Sequence, residues 1–343
     1  MGANLAAVLA ANGSLPRAWG AALFRRGHPR MNARISVVVL THNRAYEVTK
    51  TVERLLALPE QPDVIVVDNG SQDGTAGALR ARFADVQVIA CGRNLGAAGR
   101  NLGVAAAATD YVAFSDDDTH WAPGSLAHAV RVLDASPRVA VLSGRVVVGD
   151  EQRIDPTCLC MNASPLPSDG LPGPALVGYM AGACVFRTAV FREVGGYEPR
   201  LFIGGEEALV SLDILDRGYA IVYCEGLTVA HHPSPARDAP LRRRMLARNA
   251  ALVAWLRLPL REAVAASCRA LTVCVKEGAL MRDIARLVAD TAWALPRRRV
   301  VDAMVLDMRR QVREAEAAAV SVESIAPGRQ PDSESGAYTA RAR

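Results

Sequence analysis

Four short, largely apolar runs, each closed by a knot of polar residues, constrain this chain more than any other feature. They cover residues 35–40 (ISVVVL), 64–67 (VIVV), 86–89 (VQVI) and 111–115 (YVAFS). Runs this short and this rich in β-branched residues suit strands covered on both faces. Helices are expected between them, at residues 46–58 ahead of Pro59 and Pro62, at 72–83, and at the small-residue stretch 97–108. Strands alternating with helices at this spacing imply a right-handed, mainly parallel, doubly covered α/β sheet. Ligands of such sheets bind beyond the carboxyl ends of the strands. That rule sets four clusters on one rim: Thr41-His42-Asn43-Arg44, Asp68-Asn69-Gly70-Ser71, Arg93-Asn94-Leu95-Gly96 and Asp116-Asp117-Asp118.

The acidic triplet carries the chemistry. Three adjacent carboxylates at the end of a buried strand repel one another and lose hydration, so a cation or a donor-rich ligand is needed to neutralise them. Hard oxygen donors suit Mg²⁺ or Mn²⁺, which commonly bridge protein carboxylates to substrate phosphates. A solvated acidic turn is the bland reading of the triplet by itself. Three further polar clusters on the same rim favour a site.

Half of the 343 residues are apolar and 22% are charged, enough for a substantial core in one large domain with an appendage, or in two domains. Seven cysteines with no CxxC pair read as reduced thiols of a cytosolic protein. No apolar stretch reaches the length of a membrane span. Residues 1–33 are Ala-rich, with Arg25-Arg26 near their end, and read as an extension outside the fold. The run 149–178 is rich in Pro, Ser, Asp and Gly and is expected as a long covering loop. Order returns at 183–187, followed by a helix near 188–194, the Gly195-Gly196-Tyr197 turn, a helix opened by Glu206-Glu207, and a strand at 219–223. A catalytic-type domain at 34–235, a basic helical region at 236–320 broken at Pro259 and Pro296, and a polar, disordered tail at 321–343 complete the organisation.

Charge is uneven. Residues 237–299 hold fourteen Arg or Lys against five Asp or Glu. That excess suits an anionic partner such as a lipid surface, a phosphate-bearing substrate or nucleic acid, and a solvated helix face gives the same count. Within it, residues 246–258 place Trp255 between Arg248 and Arg257. The segment reads either as a helix at a membrane interface or as one docked on the preceding domain.

Taken in order, SVVVLTHNR (36–44), VIVVDNGSQDGT (64–75), RNLGAAGRNLG (93–103) and FSDDD (114–118) closely resemble the family 2 glycosyltransferases, which have the GT-A fold. Residues 178–187, Val194-Gly195-Gly196-Tyr197, Gly205-Glu206-Glu207 and His231-His232 fit the same pattern, so the resemblance spans residues 34–235. It implies a GT-A α/β domain with a Rossmann-like nucleotide-binding half and a helical C-terminal extension. It also implies inverting transfer of a sugar from a UDP-, dTDP- or GDP-linked donor to the hydroxyl of a glycan, lipid-linked or secondary-metabolite acceptor. By motif, Thr41, Asn43 and Arg44 would line the nucleotide pocket and Asp68 would hydrogen-bond the base or ribose. Asn94, Gly96 and Arg100 would stay close to the nucleotide, Gly96 because backbone approaches it.

Asp116 and Asp118 would face the metal, Mn²⁺ or Mg²⁺, and the ribose, with Asp117 as the variable middle of the nucleotide-sugar site. His231, or its neighbour His232, would complete the metal site. The family usually supplies its general base as the aspartate of a Glu-Asp pair. Here Glu207 holds that place, and the longer side chain leaves Glu206 as the alternative. Two acids in a first helical turn also favour the helix dipole. Trp121 would stack on a sugar or simply pack.

A lipid-linked acceptor would bring the enzyme to the inner face of a membrane, as a cytoplasmic protein in peripheral contact with an anionic surface, with no role for nucleic acid. The missing Asp of the pair supports an alternative, a GT-A-like domain that binds nucleotide or glycan without catalysis. An aspartate-nucleophile phosphatase is disfavoured because His120 stands where that pattern wants Thr or Val. A dinucleotide oxidoreductase lacks its GxGxxG after the first strand.

Overall fold

The computed structural model describes residues 33–233, 239–277 and 280–325. Of the expected N-terminal extension only residue 33 falls among them, and of the expected tail only residues 321–325, which continue the last helix.

The four apolar runs form β1 (Ile35–Thr41), β2 (Asp63–Asp68), β3 (Gln87–Ala90) and β4 (Tyr111–Asp116). They are joined by α1 (Ala45–Leu56), α2 (Thr75–Arg82) and α3 (Gly99–Ala106). α1 buries Val48, Thr51, Val52 and Leu55, the i, i+3, i+4, i+7 stripe of a helix lying on a sheet. Parallel pairing of β1 with both β2 and β4, and of β2 with β3, makes the Rossmann-like half. Its register is level at the rim: Thr41 lies opposite Asp68, and Leu40 opposite Asp116. Val37, Val38, Val39, Val66, Val67, Val112 and Phe114 are wholly buried. Each contributes about 1.5–3 kcal/mol relative to exposure.

The second half of the sheet is mixed. It contains β5 (Thr119–Trp121), β6 (Val139–Val148), β7 (Arg153–Ile154), β8 (Ala175–Leu176), β9 (Cys184–Arg187) and β10 (Ala220–His231). β9 runs antiparallel to both β4 and β6, β10 is parallel to β6, and β5 returns antiparallel along the end of β10. The helices here are α4 (Ser125–Ala135), α5 (Pro156–Asn162), α6 (Thr188–Glu193) and α7 (Glu206–Leu215). The expected loop 149–178 therefore contains β7, α5 and β8; Asp155 caps α5 by accepting the Thr157 N–H at 2.8 Å, with Pro156 at its first turn.

Among the described residues four C-terminal helices follow: α8 (Ala239–Arg257), α9 (Leu260–Lys276), α10 (Leu280–Ala294) and α11 (Ala303–Ile325). The choice left open for residues 246–258 resolves toward docking. Ala251, Leu252, Val253, Ala254, Leu256 and Leu258 are buried in the common core, and Trp255 donates its indole N–H to Ser267 at 3.0 Å. Arg257 and Arg299 pin this region to α7 through Asp213, at 2.5 and 3.0 Å. Among the described residues no helix is long and apolar enough to cross a membrane.

Candidate active site

The acidic turn is built where β4 runs into β5. Asp116 ends β4, Asp117 and Asp118 make the turn, and the N–H of Asp116 donates to Thr119 Oγ1 at 2.7 Å to close it. Each carboxylate then has a basic partner, Arg44 serving two of them. Asp116 is ion-paired with Arg100, and Asp117 with Arg44. Asp117 also accepts from Thr41 Oγ1 at 3.1 Å. Asp118 accepts from Arg44 Nη1 at 3.1 Å and lies 3.7 Å from His231 Nε2.

Asp117 is more than a variable middle residue. It is 6% exposed, its carbonyl accepts from Thr51 Oγ1 at 2.8 Å, and its side chain carries the bonds that fix the turn. Burial pushes its carboxyl up to about 6 against the pull of Arg44, with Asp118 and Asp116 adding to the rise. Arg44 and Thr41 thus act on the rim through Asp117. Burial works against the Arg44 charge, yet the two aspartates hold its pKa above the ordinary value.

Arg100 reaches Asp116 from within α3 and is 6% exposed; its guanidinium lies 5.8 Å from the centre of the Phe114 ring. On the far side of Asp116, a Cβ added at Gly182 would fall 2.6 Å from Asp116 Oδ2, so any side chain there would displace the carboxylate. Gly182 is a site residue that sequence reasoning left unassigned within 178–187.

The other rim clusters build loops first. Asp68, 3% exposed, accepts the Ser71 N–H at 2.9 Å. Asn43, in left-handed backbone at φ 54°, donates its N–H to Ser71 Oγ at 2.8 Å and accepts the Gln72 N–H at 2.7 Å. It therefore ties the end of β1 to the turn after β2. Asn94 Oδ1 accepts from Asn69 Nδ2 and from the Gly96 N–H, both at 2.9 Å. The close approach that demands a glycine at 96 comes from protein: a Cβ there would lie 2.0 Å from the Phe202 carbonyl oxygen, which accepts the Ala97 N–H at 2.6 Å. The β3 rim is thereby clamped to the loop that precedes α7.

That loop delivers the carboxylate pair. Glu206 and Glu207 open α7 directly after Gly205. Glu206 is 3% exposed, and its Oε2 is buried without a partner. Burial, then the charge of Glu207, pushes the Glu206 carboxyl up to about 8. Burial also raises Glu207, while Arg100 pulls it down and Asp116 pushes it up, so Glu207 lies within electrostatic reach of the acidic turn. Asn249 of α8, wholly buried, donates Nδ2 to the carbonyls of Leu201, Ile203 and Gly204 at 2.6, 3.0 and 2.6 Å. Nothing in its neighbourhood of sequence signals this anchoring role.

The two histidines have different surroundings. His231 lies beside Asp118 because β10 pairs His231 with Thr119. His232 instead stacks parallel on His120, ring centres 5.6 Å apart. Trp121 is fully buried and packs in the core, so the sugar-stacking reading falls away.

Among the described residues no group of three or more His, Cys, Asp or Glu side chains is gathered to hold an ion unaided. Asp118 Oδ1 and His231 Nε2, 3.7 Å apart, are nevertheless a carboxylate oxygen and an imidazole nitrogen close enough that both would meet one divalent ion. An ion held by two protein donors keeps its remaining positions for phosphate oxygens and water, the usual habit of Mg²⁺.

A parallel nucleotide-binding half, an acidic turn at its carboxyl rim and a carboxylate pair on a facing helix define a GT-A-type transferase domain. Residues 36–195 match the family described as Glycosyl transferase family 2. It is similar to the N-acetylglucosaminyl-diphospho-decaprenol L-rhamnosyltransferase of Mycobacterium tuberculosis, 24% identical over 243 residues, covering 60% of this chain and 78% of that one. The mannosyltransferase PcManGT from Pyrobaculum calidifontis, solved with GDP-Man and Mn²⁺, superposes with a TM-score of 0.51 at 20% identity, over 96% of this chain and 85% of that one. TarS 1–349 of S. aureus, solved with UDP, gives 0.52 at 16% identity, over 85% and 91%. At these identities the two structures speak for the fold.

Proposed function

We propose that this chain moves a sugar, with inversion, from a nucleoside-diphosphate sugar to an acceptor hydroxyl, with Glu207 as the general base. One observation carries the reading: Asp116, at the end of β4, is ion-paired with the buried Arg100, and the charge of that same arginine bears on Glu207 at the start of α7. A base and a leaving-group site that share one buried cation suit a single displacement. Glu207 takes the proton of the acceptor hydroxyl as its oxygen bonds to the anomeric carbon. The bond from that carbon to the diphosphate oxygen breaks, and its electron pair leaves with the nucleoside diphosphate. The raised pKa of Glu207 suits this work, because a base poised nearer neutrality is a better proton acceptor than an ordinary carboxylate.

Asp118 and His231 would hold a divalent ion, Mn²⁺ or Mg²⁺, which when bound supplies Lewis-acid stabilisation of charge on the diphosphate. Arg44, through Asp117, keeps the turn in place for it. Asp68 and Thr41 form the rim on which a nucleoside would rest. The rhamnosyltransferase relative is named for a diphospho-polyprenol acceptor, and neighbours are described with GDP-Man, UDP and UDP-GlcNAc. We therefore take a UDP-, dTDP- or GDP-linked donor and a lipid-diphosphate-linked sugar acceptor as the first to test, with the enzyme peripheral to a membrane.

The test is nucleoside diphosphate release from a panel of such donors, with a polyprenyl-diphosphate-linked N-acetylglucosamine as acceptor, in Mn²⁺ and in EDTA. Acceptor-dependent release that EDTA abolishes is expected. Donor binding with no release under any condition would instead favour a non-catalytic binding domain.

A further inference from the structure

The C-terminal helices segregate charge. Across residues 260–297 all four acids are turned toward other helices and ion-paired there. Glu262 pairs with Arg313 at 3.0 Å, Glu277 with Arg243 at 2.8 Å, Asp283 with Arg244 at 3.4 Å and Asp290 with Arg248 at 2.6 Å; none of the four is more than 25% exposed. The six basic residues of the same span, Arg261, Arg269, Lys276, Arg282, Arg286 and Arg297, are all exposed. Among the described residues none of these six takes part in an ion pair of 4.0 Å or less.

Exposed apolar side chains share the two helices with them. Leu260, Val264 and Val275 on α9 are 47–60% exposed, and Met281, Val288 and Leu295, along and just after α10, are 52–80% exposed. At about 100° per residue each trio falls within about 60° of its helix circumference, so each forms one strip. A helix face kept merely for solvation has no use for such strips.

We propose that the outer faces of α9 and α10 are a docking surface for an anionic phospholipid bilayer. Exposed apolar strips beside rows of Arg and Lys, with every acid of the two helices ion-paired on the inner side, are the composition of a helix lying in a membrane interface. A second copy of this chain fits less well, because a two-fold contact through this face would set arginines against arginines. The inference deepens the lipid-linked acceptor reading and rests on it for its purpose.

The placement suits that purpose. Asp290, on the inner side of α10, holds Arg248 and lies 3.5 Å from Arg200, whose guanidinium sits 4.7 Å from the centre of the Trp293 ring. Arg200 leads into the loop that Asn249 anchors ahead of Glu206 and Glu207. The docking helix is thus braced on the segment that carries the base.

The test is co-sedimentation of the full chain with vesicles of phosphatidylcholine alone or mixed with phosphatidylglycerol, at low and high salt. Pelleting with the mixed vesicles at low salt is expected, weakening as salt screens the charges. Replacing Arg282→Gln, Arg286→Gln and Arg297→Gln together should lower the partition coefficient about a hundredfold. Met281→Ser with Val288→Ser should weaken it as well. Nucleoside diphosphate release with a water-soluble acceptor should stay unchanged in both variants, which also shows that they fold.

Equal pelleting on neutral and mixed vesicles, or wild-type pelleting by the triple variant, would overturn the proposal. So would a dimer in sedimentation equilibrium that the two serine substitutions dissociate. No vesicle binding by the unsubstituted chain, with intact transfer to a detergent-solubilised lipid-diphosphate acceptor, would sink the docking surface alone. Vesicle binding without transfer to any such acceptor would sink the acceptor reading alone.

Discussion

Arg100 and Asp116 form an ion pair that joins the interior of α3 to the rim of the sheet: the arginine side chain is 7% exposed and the aspartate 42%. The Nε of Arg100 is buried without a hydrogen-bond partner, so the geometry favours the single contact at the rim. The same cation pulls down the pKa of both Glu206 and Glu207. One buried charge therefore bears on the acidic turn and on the proposed base together.

Arg100→Met should accordingly change more than stability. Loss of a charged hydrogen bond to a half-exposed partner costs about 1.5–3 kcal/mol, read as a lower midpoint in urea unfolding. Without Arg100 to favour its charge, Glu207 should hold its proton to a higher pH. The acid limb of the kcat/KM profile should then move upward, and an unmoved limb would separate Arg100 from the base.

Asn249→Ala removes the donor to three loop carbonyls and should destabilise the fold by about 2 kcal/mol or more. The loop it releases leads into Glu206, so kcat should fall while the Kd for nucleoside diphosphate, set mainly by the opposite rim, holds. An equal loss of both would make the residue purely structural.

His231→Ala should raise the Mn²⁺ concentration needed for half-maximal activity by about tenfold or more. His232→Ala, which removes only a stacking partner of His120, should leave that concentration near wild type. The reverse pattern would return the metal role to His232.

Glu206 offers a test by pH. Its carboxyl is raised from 4.5 to about 8, so the folded protein keeps a proton that the unfolded chain releases across that window. The contribution to stability is fully present below about pH 4.5 and is lost as pH rises through about 8. Glu206→Gln removes this titration. Its thermal midpoint should exceed wild type near pH 8, and the gap should close toward about pH 5. A gap independent of pH would contradict the assignment.

Much of this site was readable in sequence, and the remainder had physical reasons to stay hidden. Buried parallel strands need β-branched residues on both faces, so residues 35–40 and 64–67 announced themselves, and the carboxyl-end rule then gathered the polar clusters. His231 and His232 could not be told apart, because neighbours on a strand point to opposite faces and only the pairing of His231 with Thr119 decides which meets Asp118. Asp117 was read as the variable middle because its partners, Arg44 and Thr41, lie more than seventy residues upstream. Asn249 was missed for the same reason: its three carbonyl partners lie 45–48 residues away, and an asparagine within a helix gives no local sign of facing inward. The start of α5 at Asp155-Pro156 carried a readable cap, masked by the Pro, Ser and Gly around it.

The most direct measurement is of Glu207→Gln. Its nucleoside diphosphate Kd in Mn²⁺, by calorimetry, and its acceptor-dependent transfer rate should be determined beside wild type. If Glu207 is the base, the Kd stays close to wild type and the rate falls by a factor on the order of 10²–10⁴, the usual contribution of a general base. Transfer at the wild-type rate would contradict that role.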